Sequence, residues 1–230
     1  MKGPEAGGDP RSTHASHPFF TNQILLTALE PNGFILFVLE ALRKGMVIFM
    51  KTLLHICCAP CANQCIDVLR TDGFEVTGLW YNPNIHPFTE YRARRNCLRE
   101  YAQTIELPLI EDNRYGLRPF VRAVAEDIAG RCVKCYEIRL FEAARQAKEG
   151  GFDSFTSSLF ISPYQQHDLM REVAQRAASE YGVDFLYRDF RPYFRAGQDK
   201  ARELGFYMQK YCGCVFSEEE RYLKRSKIVP

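Results

Sequence analysis

From Lys51 onward, short apolar runs alternate with amphipathic segments, and this alternation constrains the fold more than any other feature. The runs LLHIC (53–57) and EVTGLWY (75–81) have the length of buried strands. Residues 62–69 between them are predicted to form a helix that the chain enters through Pro60. A strand, a crossover helix and a second strand predict a parallel pair, because parallel strands cannot be joined by a tight turn. The sequence therefore predicts an α/β fold with a mostly parallel sheet and flanking helices.

The same alternation continues along the rest of the chain. Further strands are predicted at 107–110, 152–158 and 183–190, and further helices at 88–105, 117–128, 136–148, 165–181 and 198–204. We expect one folded domain over 50–225, followed by a short tail at 226–230. Residues 1–49 are predicted to be an extension, disordered at first and then partly helical.

Composition excludes several classes of protein. The 30 Lys and Arg residues against 28 Asp and Glu residues give a net charge of +2, so any nucleic-acid contact must use a local basic face. The longest apolar run, 34–38, is too short to span a bilayer, and we expect no membrane partner. The polar first 17 residues do not resemble a secretion signal, and we therefore expect a cytoplasmic protein with reduced thiols.

Seven of the nine cysteines fall into three groups at the ends of predicted elements. The groups are Cys57-Cys58-Ala59-Pro60-Cys61, Cys132-Val133-Lys134-Cys135 and Cys212-Gly213-Cys214. The first group follows a predicted strand and precedes a helix, where the carboxyl ends of parallel strands form a ligand crevice. Thiolates at a helix N-terminus are stabilised by the helix dipole. The pattern predicts a cysteine-rich metal site at this edge of the sheet.

The cysteine spacing favours an iron–sulfur centre over structural zinc. A C-x-x-C pair can bind one metal or cluster, whereas adjacent Cys-Cys and C-x-C pairs suit polynuclear centres. Cys212 and Cys214 can either ligate metal or cycle as a strained, easily reduced disulfide, and the sequence leaves both roles open. Cys65 and Cys97 are interpreted as structural residues of predicted helices.

Two histidines occur near the predicted crevice. His86 lies in the loop after the second predicted strand and can donate a proton or position a substrate, although the Asn and Pro residues around it equally predict a simple turn. His55 lies within an apolar strand, which is typical of a core histidine.

Two basic segments are candidate RNA contacts. The predicted helix at 88–105 holds Arg92, Arg94, Arg95 and Arg99, which we interpret first as a solvated face. The second segment interleaves aromatic and cationic side chains, a pattern that suits phosphates and unpaired bases; it contains Tyr187, Arg188, Arg191, Tyr193 and Arg195.

Six motifs together resemble one known family. They are LLHICCAPC (53–61), WYNPNIHPFTEY (80–91), RCVKCYEIRL (131–140), SSLFISPYQ (157–165), YRDFRP (187–192) and QKYCGCVFSEEER (209–221). In order and spacing they closely resemble the cobalamin-independent epoxyqueuosine reductases, the QueH family. The resemblance covers roughly residues 51–221 and identifies 50–225 as an expected catalytic domain.

The resemblance implies an oxidoreductase that completes queuosine biosynthesis in tRNA processing. It implies reduction of the epoxide of epoxyqueuosine at the tRNA wobble position to the alkene of queuosine. Family members are similar to Rossmann-like folds and contain a [4Fe–4S] cluster, with a second iron ion or redox-active cysteines nearby. Carried over by motif, the expected cluster ligands are Cys57, Cys58, Cys132 and Cys135. Cys212 and Cys214, with Cys61, are then the expected redox pair or second metal site.

The expected partners are tRNA with a queuosine-type wobble base and an external low-potential electron donor. We expect no cobalamin. We also expect no ATP, because the first strand leads into cysteines rather than a glycine-rich phosphate loop. Two rival hypotheses remain open, a structural zinc protein that binds RNA without chemistry and a thiol–disulfide oxidoreductase that uses Cys132 and Cys135.

Overall fold

Five parallel strands form one sheet in the computed structural model, which describes residues 50–223. The strands are β1 (Met50–His55), β2 (Phe74–Tyr81), β3 (Leu109–Asp112), β4 (Ser154–Ser157) and β5 (Asp184–Phe185). Their order across the sheet is β3-β2-β1-β4-β5, and every neighbouring pair is parallel. The predicted α/β class with a parallel sheet is confirmed. The predicted extension at 1–49 and the tail at 226–230 lie outside the described residues.

Helices connect the strands and cover the sheet. The described part of the chain contains α1 (Ala59–Thr71), α2 (Phe88–Thr104), α3 (Leu117–Val124), α4 (Arg131–Glu149), α5 (His167–Tyr181), α6 (Phe194–Glu203) and α7 (Val215–Tyr222). Short 3-10 turns occupy Ser158–Ile161 and Arg191–Tyr193. Over residues 50–223, no helix combines the length and the apolar character that crossing a membrane requires.

The centre of the sheet positions the site. Leu53 and Leu54 of β1 are both fully buried, because helices pack on the two faces of this central strand. From β1 the chain moves outward to β2 and β3 on one side, and later to β4 and β5 on the other. The order therefore reverses between β1 and β4, and a crevice opens at the carboxyl ends of these strands.

Several element boundaries differ from prediction. The predicted strand at 183–190 is reduced to Asp184–Phe185, because β4 ends at Ser157 and its backbone then turns into a 3-10 helix that offers no further strand partner. Helix α4 begins at Arg131 rather than at 136, so Cys132 and Cys135 lie in its first turns. Helix α7 was not predicted, since its eight residues are short and carry three consecutive glutamates.

Candidate metal centre and its pocket

Three cysteine sulfurs meet where β1 gives way to α1. One ligand atom each from Cys57, Cys58 and Cys61 lies within 4.8 Å of the others, and all three residues are buried. Cys58 adopts an extended conformation just before the helix, and Pro60 occupies its first turn. Proline is favoured there because its fixed φ suits the helix and its missing N–H would have no helical partner. The local sequence thus turns Cys61 back toward Cys57 and Cys58.

The three thiols differ in acidity. Hydrogen bonds from Cys58 and Cys61 lower the pKa of Cys57 well below its usual value, and these bonds outweigh the opposing effect of burial. Burial raises the pKa of Cys58. The Ser158 hydroxyl also donates to Cys57 Sγ at 3.6 Å. The group is therefore suited to hold a thiolate in a buried position.

All three cysteine groups reach one pocket of about 690 Å³. Its wall includes Cys57, Cys61, Cys132, Cys135, Cys212 and Cys214. Cys58 is buried beside Cys57, with its sulfur 3.8 Å from that of Cys57. Segments that are far apart in sequence thus contribute thiols to a single cavity, which is the arrangement that the predicted metal site requires.

The pair Cys132 and Cys135 enters the pocket from the first turns of α4. Cys135 Sγ accepts hydrogen bonds from Arg139 Nη2 at 3.0 Å and from Asn84 Nδ2 at 3.2 Å. Burial raises the pKa of Cys135 to about 12, and the charge of Arg139 opposes this rise. Burial likewise raises the pKa of Cys132. Burial therefore favours the protonated form of both thiols, and a bound metal would favour the thiolates, because cysteine binds metals through its deprotonated sulfur.

The Cys212-Gly213-Cys214 loop is fixed by backbone contacts. Gly213 has a φ of +149°, and a Cβ atom there would lie 3.2 Å from Ile85 Cγ1, so a glycine separates the two cysteines. The Gly213 carbonyl accepts a hydrogen bond of 2.7 Å from the His86 amide. Cys212 is exposed and Cys214 is buried. All nine cysteines of the chain are unbonded, so a redox disulfide between Cys212 and Cys214 stays a prediction.

His86 braces this loop and is not exposed to the pocket. Its ring is buried, Nε2 donates to the Pro83 carbonyl at 3.1 Å, and Nδ1 accepts from the Val215 amide at 3.3 Å. Burial lowers the pKa of His86 to about 4. The geometry favours a positioning role, and proton donation to a substrate stays a prediction. His55 is a satisfied core residue, bonded to Ser157 Oγ and the Tyr81 carbonyl.

The basic segments have different environments from those expected. Arg94 is not on a solvated face: it is buried and forms an ion pair of 2.6 Å with Glu90. Arg188 pairs with Asp72 and Arg191 with Asp189, and Tyr193 is half-buried. Arg188, Arg191 and Tyr193 do not line the cysteine pocket, whereas Arg94 and Phe194 do. RNA contact by Arg188, Arg191 and Tyr193 stays a prediction.

Sequence reasoning missed several residues of the pocket. Asn84 and Arg139 contact Cys135, and Tyr164 lies on the pocket wall with 84% of its surface exposed. Arg139 could have been found, because residues four apart on a helix are neighbours and it follows Cys135 by four. The contact from Asn84 depends on tertiary packing and leaves no local signal.

The donor set fits an iron–sulfur cluster. The ligand atoms are soft sulfurs, and several receive N–H or O–H hydrogen bonds of the kind that stabilise cluster thiolates. Among residues 50–223, Cys57, Cys58 and Cys61 are the single compact group of three or more potential metal ligands.

Comparison with known proteins identifies close relatives. Residues 52–220 match the family described as Epoxyqueuosine reductase QueH. A protein of that name from Dehalococcoides mccartyi is 39% identical over 174 residues, covering 76% of this chain and 96% of the relative. The relative from Thermotoga maritima is 33% identical over 189 residues, covering 76% of this chain and 94% of the relative. The relative from Histophilus somni is 36% identical over 175 residues, covering 73% of this chain and 72% of the relative.

Among solved structures, the Bordetella bronchiseptica enzyme WbmH in complex with NAD+ is 12% identical. That similarity covers 60% of this chain and 55% of the other, with a TM-score of 0.29, which is too low to indicate a shared function.

Proposed function

This chain belongs to the Epoxyqueuosine reductase QueH family, and we propose that its cysteine-lined pocket is where the epoxide of epoxyqueuosine in tRNA is reduced to queuosine. The chain is accordingly an oxidoreductase of queuosine biosynthesis. The observation that carries the assignment of the pocket is the convergence of the three cysteine groups on one cavity. Reduction of an epoxide to an alkene consumes two electrons and two protons and releases the oxygen as water.

Cys57, Cys58, Cys132 and Cys135 are the proposed ligands of a [4Fe–4S] cluster, with Cys61 beside them. The burial of Cys57, Cys58 and Cys135 supports this choice, as do the hydrogen bonds to the sulfurs of Cys57 and Cys135. When bound, such a cluster supplies electrons one at a time. The electrons would come from an external low-potential donor, and neither cobalamin nor ATP has a part in the proposal. The cytoplasm, where thiols stay reduced, is the proposed location.

Cys212 and Cys214 are proposed to act beside that cluster. Cys212 is exposed on the pocket wall, and Gln165 Nε2 donates to its sulfur at 3.2 Å. The pair can work as a dithiol that supplies two electrons on forming a disulfide, or as ligands of a second iron ion with Cys61. Both roles need the sulfurs at the pocket, which is where the loop holds them.

Tyr136 is the proposed proton donor of the pocket. Its side chain lines the cavity, and its hydroxyl donates to Gln165 Oε1 at 2.7 Å. Burial raises the pKa of Tyr136, so the phenol stays protonated at neutral pH. The strongly basic oxygen released as the epoxide opens would accept this proton. His86 lacks this access, because both of its ring nitrogens are engaged by backbone groups.

The mouth of the pocket suits an unpaired RNA base and its phosphates. Tyr164 and Phe194 lie edge to face, with ring centroids 5.9 Å apart, and both line the pocket. Exposed cations surround the cavity, namely Arg202, Lys210 and Arg221. Aromatic rings stack on splayed-out bases, and cations hold the backbone. We therefore propose that the anticodon loop binds here, with its modified base directed toward the thiols.

Anaerobic reconstitution tests the proposal. The full chain is loaded with iron and sulfide, reduced, and incubated with tRNA that contains epoxyqueuosine. We expect broad visible absorbance from the cluster and queuosine in the digested nucleosides by mass spectrometry. Stoichiometric zinc without iron, or cluster-loaded protein that leaves epoxyqueuosine unchanged, would contradict the proposal. The C65A variant is the matched control, because Cys65 is buried in α1 but does not line the pocket.

A further inference from the structure

Arg139 is a buried cation that has no carboxylate partner in the described part of the chain. Only 2% of its surface is exposed. Its Nη2 donates to Cys135 Sγ at 3.0 Å and its Nε to the Cys135 carbonyl at 3.1 Å. Of the ion pairs formed within residues 50–223, none includes Arg139. The guanidinium therefore directs its charge at a sulfur.

The other deeply buried arginine shows what is unusual here. Arg94 is equally buried, yet Glu90 balances its charge at 2.6 Å. A buried charge without a counter-ion is strongly destabilising, so such groups are almost always paired or bound to a ligand. The fold thus retains Arg139 beside a cysteine sulfur, a group that becomes an anion when it binds a metal.

The surroundings of Arg139 agree with this interpretation. Asn84 Nδ2 donates to the same Cys135 sulfur at 3.2 Å. Two N–H donors, one of them charged, therefore converge on a single buried sulfur.

We propose that Arg139 is the built-in counter-cation of the iron–sulfur site and that, together with Asn84, it raises the reduction potential of that site through Cys135 Sγ. This inference rests on the proposed function. One electron passes from the external donor to the site without making or breaking a covalent bond, and the reduced form carries one more negative charge. A fixed cation and N–H donors at sulfur stabilise that form preferentially. Arg139 is thus a positioning and tuning residue.

A redox titration of the reconstituted full chain tests this role. The midpoint potential is followed anaerobically by visible absorbance and electron paramagnetic resonance. We expect R139M to lower the equilibrium constant for reduction at least tenfold, a shift of about 59 mV to lower potential for one electron. We expect R139K, which keeps the positive charge, to shift the midpoint potential by less than half as much.

Arg145 supplies the matched control on the same helix. It pairs at the surface with Glu142 and Glu149, so R145M should leave the midpoint potential unchanged. Should R139M fail to hold a cluster, N84A removes the second donor with Arg139 in place, and we expect it to lower the equilibrium constant at least twofold.

The outcomes separate the two proposals. An R139M protein with an intact cluster and an equilibrium constant within twofold of the parent would overturn the role of Arg139. If R139M does not bind a cluster, an N84A protein whose equilibrium constant for reduction lies within twofold of the parent would also overturn the role of Arg139. A parent chain that takes up neither iron nor sulfide would instead overturn the proposed function, and the inference with it.

Discussion

Arg94 Nη1 donates a hydrogen bond of 3.0 Å to the carbonyl oxygen of Cys212, a residue 118 positions further along the chain. Its Nη2 donates to the Tyr211 carbonyl at 2.9 Å, and its Nε contacts Glu90. Glu90 also accepts a hydrogen bond from the Tyr207 hydroxyl. One buried ion pair of α2 therefore holds the loop that carries Cys212 and Cys214 against the pocket.

Breaking that ion pair should destabilise the fold and release the loop. In R94M, Glu90 is left as a buried charge, and we expect a loss of about 3–5 kcal/mol in the free energy of unfolding by urea titration. Hydrogen exchange of the amides near Cys212 should accelerate. R92M is the control, because Arg92 is exposed on the same helix and should change stability by less than about 0.5 kcal/mol. Equal effects of the two variants would argue against the anchor.

Removing a proposed cluster thiol should abolish cluster binding. We expect C57A and C135A to lose most bound iron, visible absorbance and turnover, because each deletes a buried sulfur of the pocket. C65A should keep all three, since its sulfur bonds only to the Cys61 carbonyl. Iron and sulfide analysis after anaerobic reconstitution measures the difference. Full iron content in C135A would remove Cys135 from the ligand set.

The phenol of Tyr136 should matter for the rate more than for binding. We expect Y136F to lower kcat by about 10²–10⁴-fold, the range for a general acid, with KM for tRNA nearly unchanged. Y181F is the control, because Tyr181 packs against Phe141 at the end of α5 and lies outside the pocket wall. A kcat for Y136F close to that of the parent would show that the proton comes from elsewhere.

His86 should make the free energy of unfolding depend on pH. Burial lowers its pKa to about 4, against about 6.5 in an unfolded chain. The contribution is complete above pH 6.5 and is lost as the pH falls from 6.5 toward 4, because the unfolded chain binds the proton first. We expect a loss of up to about 2 kcal/mol across this window. In H86Q, unfolding midpoints should fall less steeply as the pH decreases. An identical slope in the two proteins would show that folding does not shift the pKa of His86.

Two surfaces are candidate RNA contacts, the pocket mouth and the segment that contains Arg188 and Arg191. Substitutions on each surface distinguish between them. We expect Y164A to weaken tRNA binding by about 1–3 kcal/mol through lost stacking. K210E should weaken binding and reduce its salt dependence by about one phosphate contact. R188E and R191E test the sequence-based prediction in the same assay. Weakening by these two variants alone would move the binding surface away from the pocket mouth.

Local sequence patterns were enough to predict the parallel sheet and the location of the first cysteine group. Alternating apolar runs and amphipathic segments are local patterns, and they report the structure that residues adopt with neighbours a turn or two away. The turn from β1 through Cys57, Cys58 and Pro60 into α1 is such a local feature, and it was predicted. The family resemblance, confirmed by relatives over 52–220, added the chemistry.

The contacts between residues that are distant in sequence could not be predicted from these local patterns. The burial of Arg94 against the Cys212 carbonyl, the engagement of both His86 nitrogens and the short β5 depend on segments separated by many residues. The same holds for Asn84 at Cys135 and for the convergence of all three cysteine groups on one pocket. Such contacts arise when packed elements bury their apolar surfaces together, and a side chain's final partners are set by that packing rather than by its neighbours in sequence.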